Sequence, residues 1–184
     1  MNWDTLEQHC ADFILQQQIH DAAHDINHIK RVVTSAKQLA AEESADMNVV
    51  LPAAWLHDCV SFPKSHPDNK RASVLAGEKA VEFLQSINYP SEYFEPIKHA
   101  IAAHSYSANI TTESIEAEVV QDADRLDGLG AIGVSRCMLV AGKLGSQLYN
   151  LDDPFCEQRT PDSKLAAVDH FYEIIANRVV CMFR

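Results

Sequence analysis

The chain has 184 residues, 47% apolar and 22% charged, the proportions of one globular domain (1–184) with a substantial core. A formal charge of -11 and a pI near 5.1 oppose non-specific attraction to nucleic acid or anionic lipid, so a small-molecule partner is expected instead. No apolar run reaches the roughly 18 residues of a membrane span, and the start MNWDTLEQHC has neither a basic nor an apolar leader region, so a cytoplasmic address is expected.

Only six glycines, few alternating apolar and polar runs, and many apolar spacings of three and four predict an all-α fold. The first helix is expected over Asp4 to Gln18. The second carries the stripe Ile29, Val32, Val33, Ala36, Leu39 and Ala40, with His28 at its start. A third is expected from Met47 to Val60, bent by Pro52 and ending in His57 and Asp58. The loop SFPKSHPDN follows, with Pro63 and Pro67 barring helix. Val74, Leu75, Val81, Phe83, Leu84 and Ile87 then mark a fourth helix that stops at Asn88 and Pro90. Ser91 is expected to cap the fifth, in which Ile97, Ile101 and His104 share the buried stripe and His99 points elsewhere. A helix from about Glu113 carries VVQDADRLDGLGAIG, and another covers Val134 to Leu144, closed by Gly145. Tyr149 to Asp162 reads as a loop, followed by a last helix from about Ser163.

Two stretches do not fit a plain amphipathic pattern. In AAWLHDCV, Ala53 to Val60, an apolar run ends in His57 and Asp58 side by side, although adjacent helical residues point about 100° apart. A carboxylate directly behind Trp55 and Leu56 needs either water at a helix end or a compensating positive charge, such as a metal ion. In QDADRLD, Asp122, Asp124 and Asp127 crowd around the stripe Val119, Ala123, Leu126 and Gly130, and periodicity does not choose among the three. Cys10, Cys59, Cys137, Cys156 and Cys181 are odd in number and scattered, which predicts free thiols rather than a disulfide framework or a zinc ribbon.

A His opening the second helix, a His-Asp pair ending the third and an Asp in a later ADRL turn, taken in that order, resemble the HD-domain metal-dependent phosphohydrolases. AHDINHIKRV matches the first His motif, AAWLHD the defining pair and VVQDADRLD the last Asp motif. The stretches HPDNKRAS, IKHAIAAHS, DADRLDGLGAIG and DPF look like one bacterial branch of small standalone members, some of which are nucleotide pyrophosphohydrolases. The resemblance implies an HD-type helical bundle and one divalent ion, Mn, Fe, Co, Ni, Zn or Mg, held by His28, His57, Asp58 and Asp124. His24 and Asp25 form a decoy pair, since the family's first ligand is the His followed by Arg and Val, here His28 with Arg31 and Val32.

The expected chemistry is metal-assisted attack of water on a phosphoryl group. Asp58 ligates and balances charge, His104 faces the phosphate as a donor or supports a ligand, and Asp122 or Asp127 orients ligands or accepts a proton. Lys64, His66, Lys70 and Arg71, with Ser73 at the following helix start, are the expected phosphate-binding group. Several cations suit a polyphosphate, so the substrate expected is a nucleoside triphosphate cleaved to monophosphate and pyrophosphate. The alternatives are a metal- or nucleotide-binding sensor without turnover, and a nucleotide phosphatase or phosphodiesterase. The cyclic-dinucleotide branch carries an adjacent His-His pair that this chain lacks. The final stretch YEIIANRVVCMFR departs from the family's usual continuation into another helical segment, so its apolar end is expected to be covered by a fold surface or partner, or the chain to be truncated.

Overall fold

The computed structural model of the chain describes residues 2–17, 25–62 and 66–172. His24, Lys64, Cys181 and the closing stretch from residue 173 lie outside the described residues. Among those described there are seven α-helices: α1 Trp3–Gln16, α2 Ile26–Glu43, α3 Met47–Leu56, α4 Ala72–Ser86, α5 Phe94–His104, α6 Ile115–Leu126 and α7 Gly130–Leu144. The fold is all-α, with one isolated backbone bridge, Gln147 to Ala166, among the described residues. The chain divides into two compact units, Met1–Leu126 and Asp127–Arg184.

The first unit is built around α3. Every residue from Val49 to Leu56 is buried, which is why this helix shows no one-sided stripe in the sequence. It packs against α1, α2, α5 and α6, and more lightly against α4. Short polar side chains start the helices that surround it: Asn2 caps α1, Asp25 caps α2, and Asp46 caps α3 by accepting the Asn48 N–H at 2.8 Å. Glu7 of α1 accepts from the Trp55 indole at 3.2 Å and pairs with Lys37, tying α1 to α3 and α2. Helices α4 and α5 approach each other closely. A Cβ at Gly77 would stand 2.9 Å from the Lys98 carbonyl oxygen, so glycine is required for that spacing. The Ser73 hydroxyl donates to the Ala102 carbonyl at 3.0 Å and the Gln121 amide to the Ala103 carbonyl at 2.7 Å, which fixes the last turn of α5 from two sides.

Several boundaries differ from the periodicity. Helix α3 stops at Leu56 instead of Val60, and residues 57–60 are turns. Ser91 makes no capping bond; Ser91–Tyr93 is a short 3-10 turn leading into α5. The helix expected to carry VVQDADRLDGLGAIG breaks after Leu126, and α7 begins at Gly130, where φ is +62°.

In the second unit, α7 closes at Gly145, whose left-handed backbone (φ 71°) lets its N–H reach the Ala141 and Gly142 carbonyls. Tyr149 to Asp162 contains no helix, and Arg159 forms a two-pronged ion pair with the buried Asp169 that holds this long connection. That contact and the Asp162 N–H hold the Asp169 carboxyl down to about 2 and the Arg159 guanidinium above its ordinary value. Residues 163–168 form turns and the bridge to Gln147, so no helix begins at Ser163; helical turns are described only over 169–172. Cys10, Cys59, Cys137 and Cys156 are free thiols.

Candidate metal centre

His28 stands in the first turn of α2, and Asp25 holds it there. The Asp25 carboxylate accepts from the backbone N–H groups of Asn27 and His28, both at 3.0 Å. Slight burial works against the charge, but these hydrogen bonds keep the Asp25 carboxyl below its usual range. The residue that looks like half of a decoy metal pair is therefore the helix cap. An Asp immediately before a helical stripe is a capping signal that the motif comparison passes over.

The His57-Asp58 pair follows from where α3 ends. His57 keeps helical backbone angles (φ -55°, ψ -35°) as the C-cap, while Asp58 already belongs to a turn, so the two side chains escape the helical separation and reach the same place. Cys59, its N–H bonded to the Leu56 carbonyl at 3.0 Å and its thiol to the Ala76 carbonyl at 3.3 Å, pins that turn against α4. Burial pushes the Cys59 thiol up to about 12, so it remains an inert packing group.

On α6, Asp124 faces the same point. Two residues correspond to roughly 200° of helix, so Asp122 turns away and instead meets Arg125 at 3.8 Å. Burial raises the Asp122 carboxyl above its ordinary value despite that partner. Asp127 lies in the second unit, where its buried carboxylate accepts from Arg136 at 2.8 Å. Tertiary placement thus separates three acids that periodicity could not rank.

His28 Nε2 lies 3.3 Å from His57 Nε2, 3.6 Å from Asp58 Oδ2 and 3.5 Å from Asp124 Oδ1; His57 Nε2 lies 3.6 Å and 4.0 Å from the same two oxygens. His57 Nδ1 is 2.8 Å from the Ala54 carbonyl oxygen. A carbonyl accepts, so Nδ1 carries the proton and Nε2 offers its lone pair to the cluster. Burial brings the His57 imidazole down to about 4, against the nearby Asp58 and Asp124 charges, so it is neutral at physiological pH. For Asp124, burial acts to raise the carboxyl, and the imidazoles of His57, His28 and His104 outweigh it, leaving it below its ordinary value.

These donors fit a divalent cation. An ion about 2.1 Å from each donor spaces neighbouring donors about 3.0 Å apart at right angles and about 3.4 Å in a tetrahedron. Most of the separations stand only slightly outside those values. Among the described residues, His28, His57 and Asp58 satisfy the distances needed to share an ion, and Asp124 lies beside them, 3.5 Å from His28, outside that group. Two imidazole nitrogens crowded against carboxylate oxygens form a mixed nitrogen and oxygen set of the kind that suits Mn, Fe, Co, Ni, Zn or Mg.

The remaining expected residues fall in different surroundings. His104 is buried beside Asp58, with Nε2 3.7 Å from Asp58 Oδ1. His66 stacks on Phe62 at 4.5 Å, Lys70 is exposed, and Arg71 lies 3.7 Å from Asp68; all follow the His-Asp turn within the first unit. Ser73 stands in the first turn of α4, buried, with its hydroxyl donating to the Ala102 carbonyl at 3.0 Å. His99 accepts from the Glu113 N–H at 3.1 Å.

Residues 25–129 match the HD domain family model, and the chain belongs to that family. YpgQ of Bacillus subtilis is 34% identical over 132 residues, a stretch covering 70% of this chain and 62% of YpgQ, so the match spans less than two thirds of that relative. The solved structure of B. subtilis YpgQ in complex with ADP is similar at a TM-score of 0.68 and 28% identity, covering 100% of this chain and 84% of that one. An HD-superfamily hydrolase from Bacillus thuringiensis is similar at a TM-score of 0.71 and 28% identity, over 100% of this chain and 85% of that one. A protein from Lactobacillus plantarum is similar at a TM-score of 0.74 and 28% identity, over 99% and 86% of the two chains. Among the described residues, no helix is long and apolar enough to cross a membrane.

Proposed function

We propose that this protein is a metal-dependent phosphohydrolase whose substrate is a nucleotide, a nucleoside triphosphate cleaved to monophosphate and pyrophosphate. The observation that carries the proposal is the convergence of His28 of α2 with His57 and Asp58 of the turn after α3 at separations suited to a shared ion, with Asp124 of α6 3.5 Å from His28 as the fourth group. The structure of YpgQ with ADP supports the nucleotide part. When bound, a divalent cation supplies positive charge against a phosphoryl group and acidifies water.

The protein's own groups divide the remaining work. His28 and His57 contribute neutral nitrogens, and Asp58 and Asp124 contribute the two negative charges that balance the cation. Lys70 and Arg71, in a chain of net negative charge, bind the phosphate oxygens, with His66 beside them. Arg71 is 67% exposed on its side chain and its present partner Asp68 is 3.7 Å away, so a phosphate can take it over at small cost. Asp122 and Asp127 are left out of the chemistry because each meets an arginine on its own unit.

The test is a manganese-supplemented screen of nucleoside mono-, di- and triphosphates with product analysis. Pyrophosphate and monophosphate from triphosphates are expected. Inorganic phosphate from monophosphates, with triphosphates untouched, would overturn the assigned bond, and inertness of the fully metallated protein toward all of them would point to a sensor.

A further inference from the structure

His104 ends α5, and the chain leaves the helix at once: Ser105 has extended backbone angles (φ -76°, ψ 125°), and Tyr106–Ala108 form a short 3-10 turn. The Asn109 N–H closes that turn on the Tyr106 carbonyl at 3.3 Å, with Asn109 in the left-handed region (φ 52°), and the Ser105 and Ser107 hydroxyls meet at 3.1 Å. The backbone just before it is anchored by the bonds of Ser73 to Ala102 and of Gln121 to Ala103. The turn packs against a second 3-10 turn, Asn69–Arg71, which carries Lys70 and Arg71. Tyr106 is thus held two residues from His104 and next to the cationic turn, and it is 50% exposed.

A single exposed aromatic residue is common on protein surfaces. Its place sets Tyr106 apart. Among the described residues of the first unit, the exposed aromatic rings are Trp3 and Tyr106, and Trp3 opens α1, which carries none of the residues named at the site. Two residues of chain span at most about 7 Å, so the Tyr106 backbone lies close to that of His104, whose ring nitrogen is 3.7 Å from Asp58. A nucleotide with its phosphates between the cluster around His28 and the side chains of Lys70 and Arg71 extends its sugar and base along the protein surface, where this ring stands.

We propose that Tyr106 is the base-binding residue of this site: its ring stacks on the base of a nucleoside di- or triphosphate whose phosphates Lys70 and Arg71 hold. This rests on the nucleotide reading above and adds to it the group that selects a nucleotide over a bare polyphosphate. Every base offers a π face, so stacking accepts purines and pyrimidines alike. A ring on a backbone already fixed by its turn and by the neighbouring helices loses little freedom when the base arrives.

The experiment is calorimetric titration of ADP, and separately of inorganic pyrophosphate, into manganese-loaded wild-type protein, Tyr106→Ala, Tyr106→Leu and Tyr106→Phe. Tyr106→Ala is expected to bind ADP about 5- to 150-fold more weakly, the range for loss of one aromatic stack on a base, with pyrophosphate affinity unchanged. Tyr106→Phe, which keeps the ring, should bind ADP as the wild type does. Tyr106→Leu, which keeps apolar volume without a ring and stands in if the alanine variant does not fold, should lose most of the same affinity. Undiminished ADP affinity in the variants lacking the ring, or an equal loss for ADP and pyrophosphate, would overturn the proposal. Failure of the nucleotide reading looks different: the wild-type protein would then bind ADP no more tightly than pyrophosphate, and the base-binding role would fall with it.

Discussion

Protonating His57 should cost the metal-free protein stability over a defined pH window. In an unfolded chain this imidazole titrates near 6.5, and in the folded protein burial, opposed by Asp58 and Asp124, brings it down to about 4. Between those values the unfolded chain binds a proton that the folded one does not, so stability rises with pH across the window and is lost as pH falls through it. The gap of roughly 2.5 pH units, at about 1.36 kcal/mol each, corresponds to about 3 kcal/mol from this fully buried group. His104 does not tilt the same window. Burial lowers its pKa, but Asp58 and Asp124 carry the net shift upward, so its contribution is complete below 6.5 and is lost only as pH rises through its folded value. The lowered Asp124 carboxyl acts below its ordinary value of 3.8, on the other side of the window. The assay is urea unfolding in excess chelator at a series of pH values for wild type and His57→Gln, which cannot titrate. The wild-type curve should fall more steeply toward acid, by about 3 kcal/mol in total, whatever constant offset the substitution adds. Parallel curves for the two proteins would refute the reasoning, because they would mean that the buried imidazole is not held neutral by its surroundings.

Asp58→Ala is expected to lose both metal binding and turnover, since one carboxylate supplies a donor atom and part of the balancing charge; near-normal metal content by elemental analysis would show the pair to be a plain helix end. Arg71→Ala should leave metal content unchanged and lower kcat/KM by about 10- to 100-fold, the value of roughly 1.5–3 kcal/mol for a charge-assisted hydrogen bond, whereas a merely solvated arginine would cost almost nothing. Gly77→Ala should lower the melting temperature, because a methyl 2.9 Å from the Lys98 carbonyl forces α4 from α5 at a cost of about 1–3 kcal/mol that exceeds the gain of up to about 1 kcal/mol in helix propensity; an unchanged or higher melting temperature would mean that the two helices relax freely.

Much of the helical layout was legible because it depends on local rules. The stripe from Ile29 to Ala40 corresponds to the buried face of α2, the stripe with Ile97, Ile101 and His104 to that of α5, and Gly145 to a left-handed cap. The breaks were less legible. Nothing local separates Leu56 from Val60 as the end of α3, since the run stays apolar up to the His-Asp pair and the stop is set by Cys59 docking against α4. The same holds at Leu126, after which the chain turns before α7 begins at Gly130.

By itself the sequence determined the helical class, the buried faces and the HD motifs, since each depends on residue order and spacing within one segment. The tertiary structure decided what depends on segments distant in the chain. It brought His28, His57, Asp58 and Asp124 to one point, turned Asp122 toward Arg125, gave Asp127 to Arg136, and set His104 against the outer oxygen of Asp58. The physical reason is that period 3.6 tells which side of a helix faces inward, but only the packing of several helices around α3 tells which inward side chains share the same few ångströms.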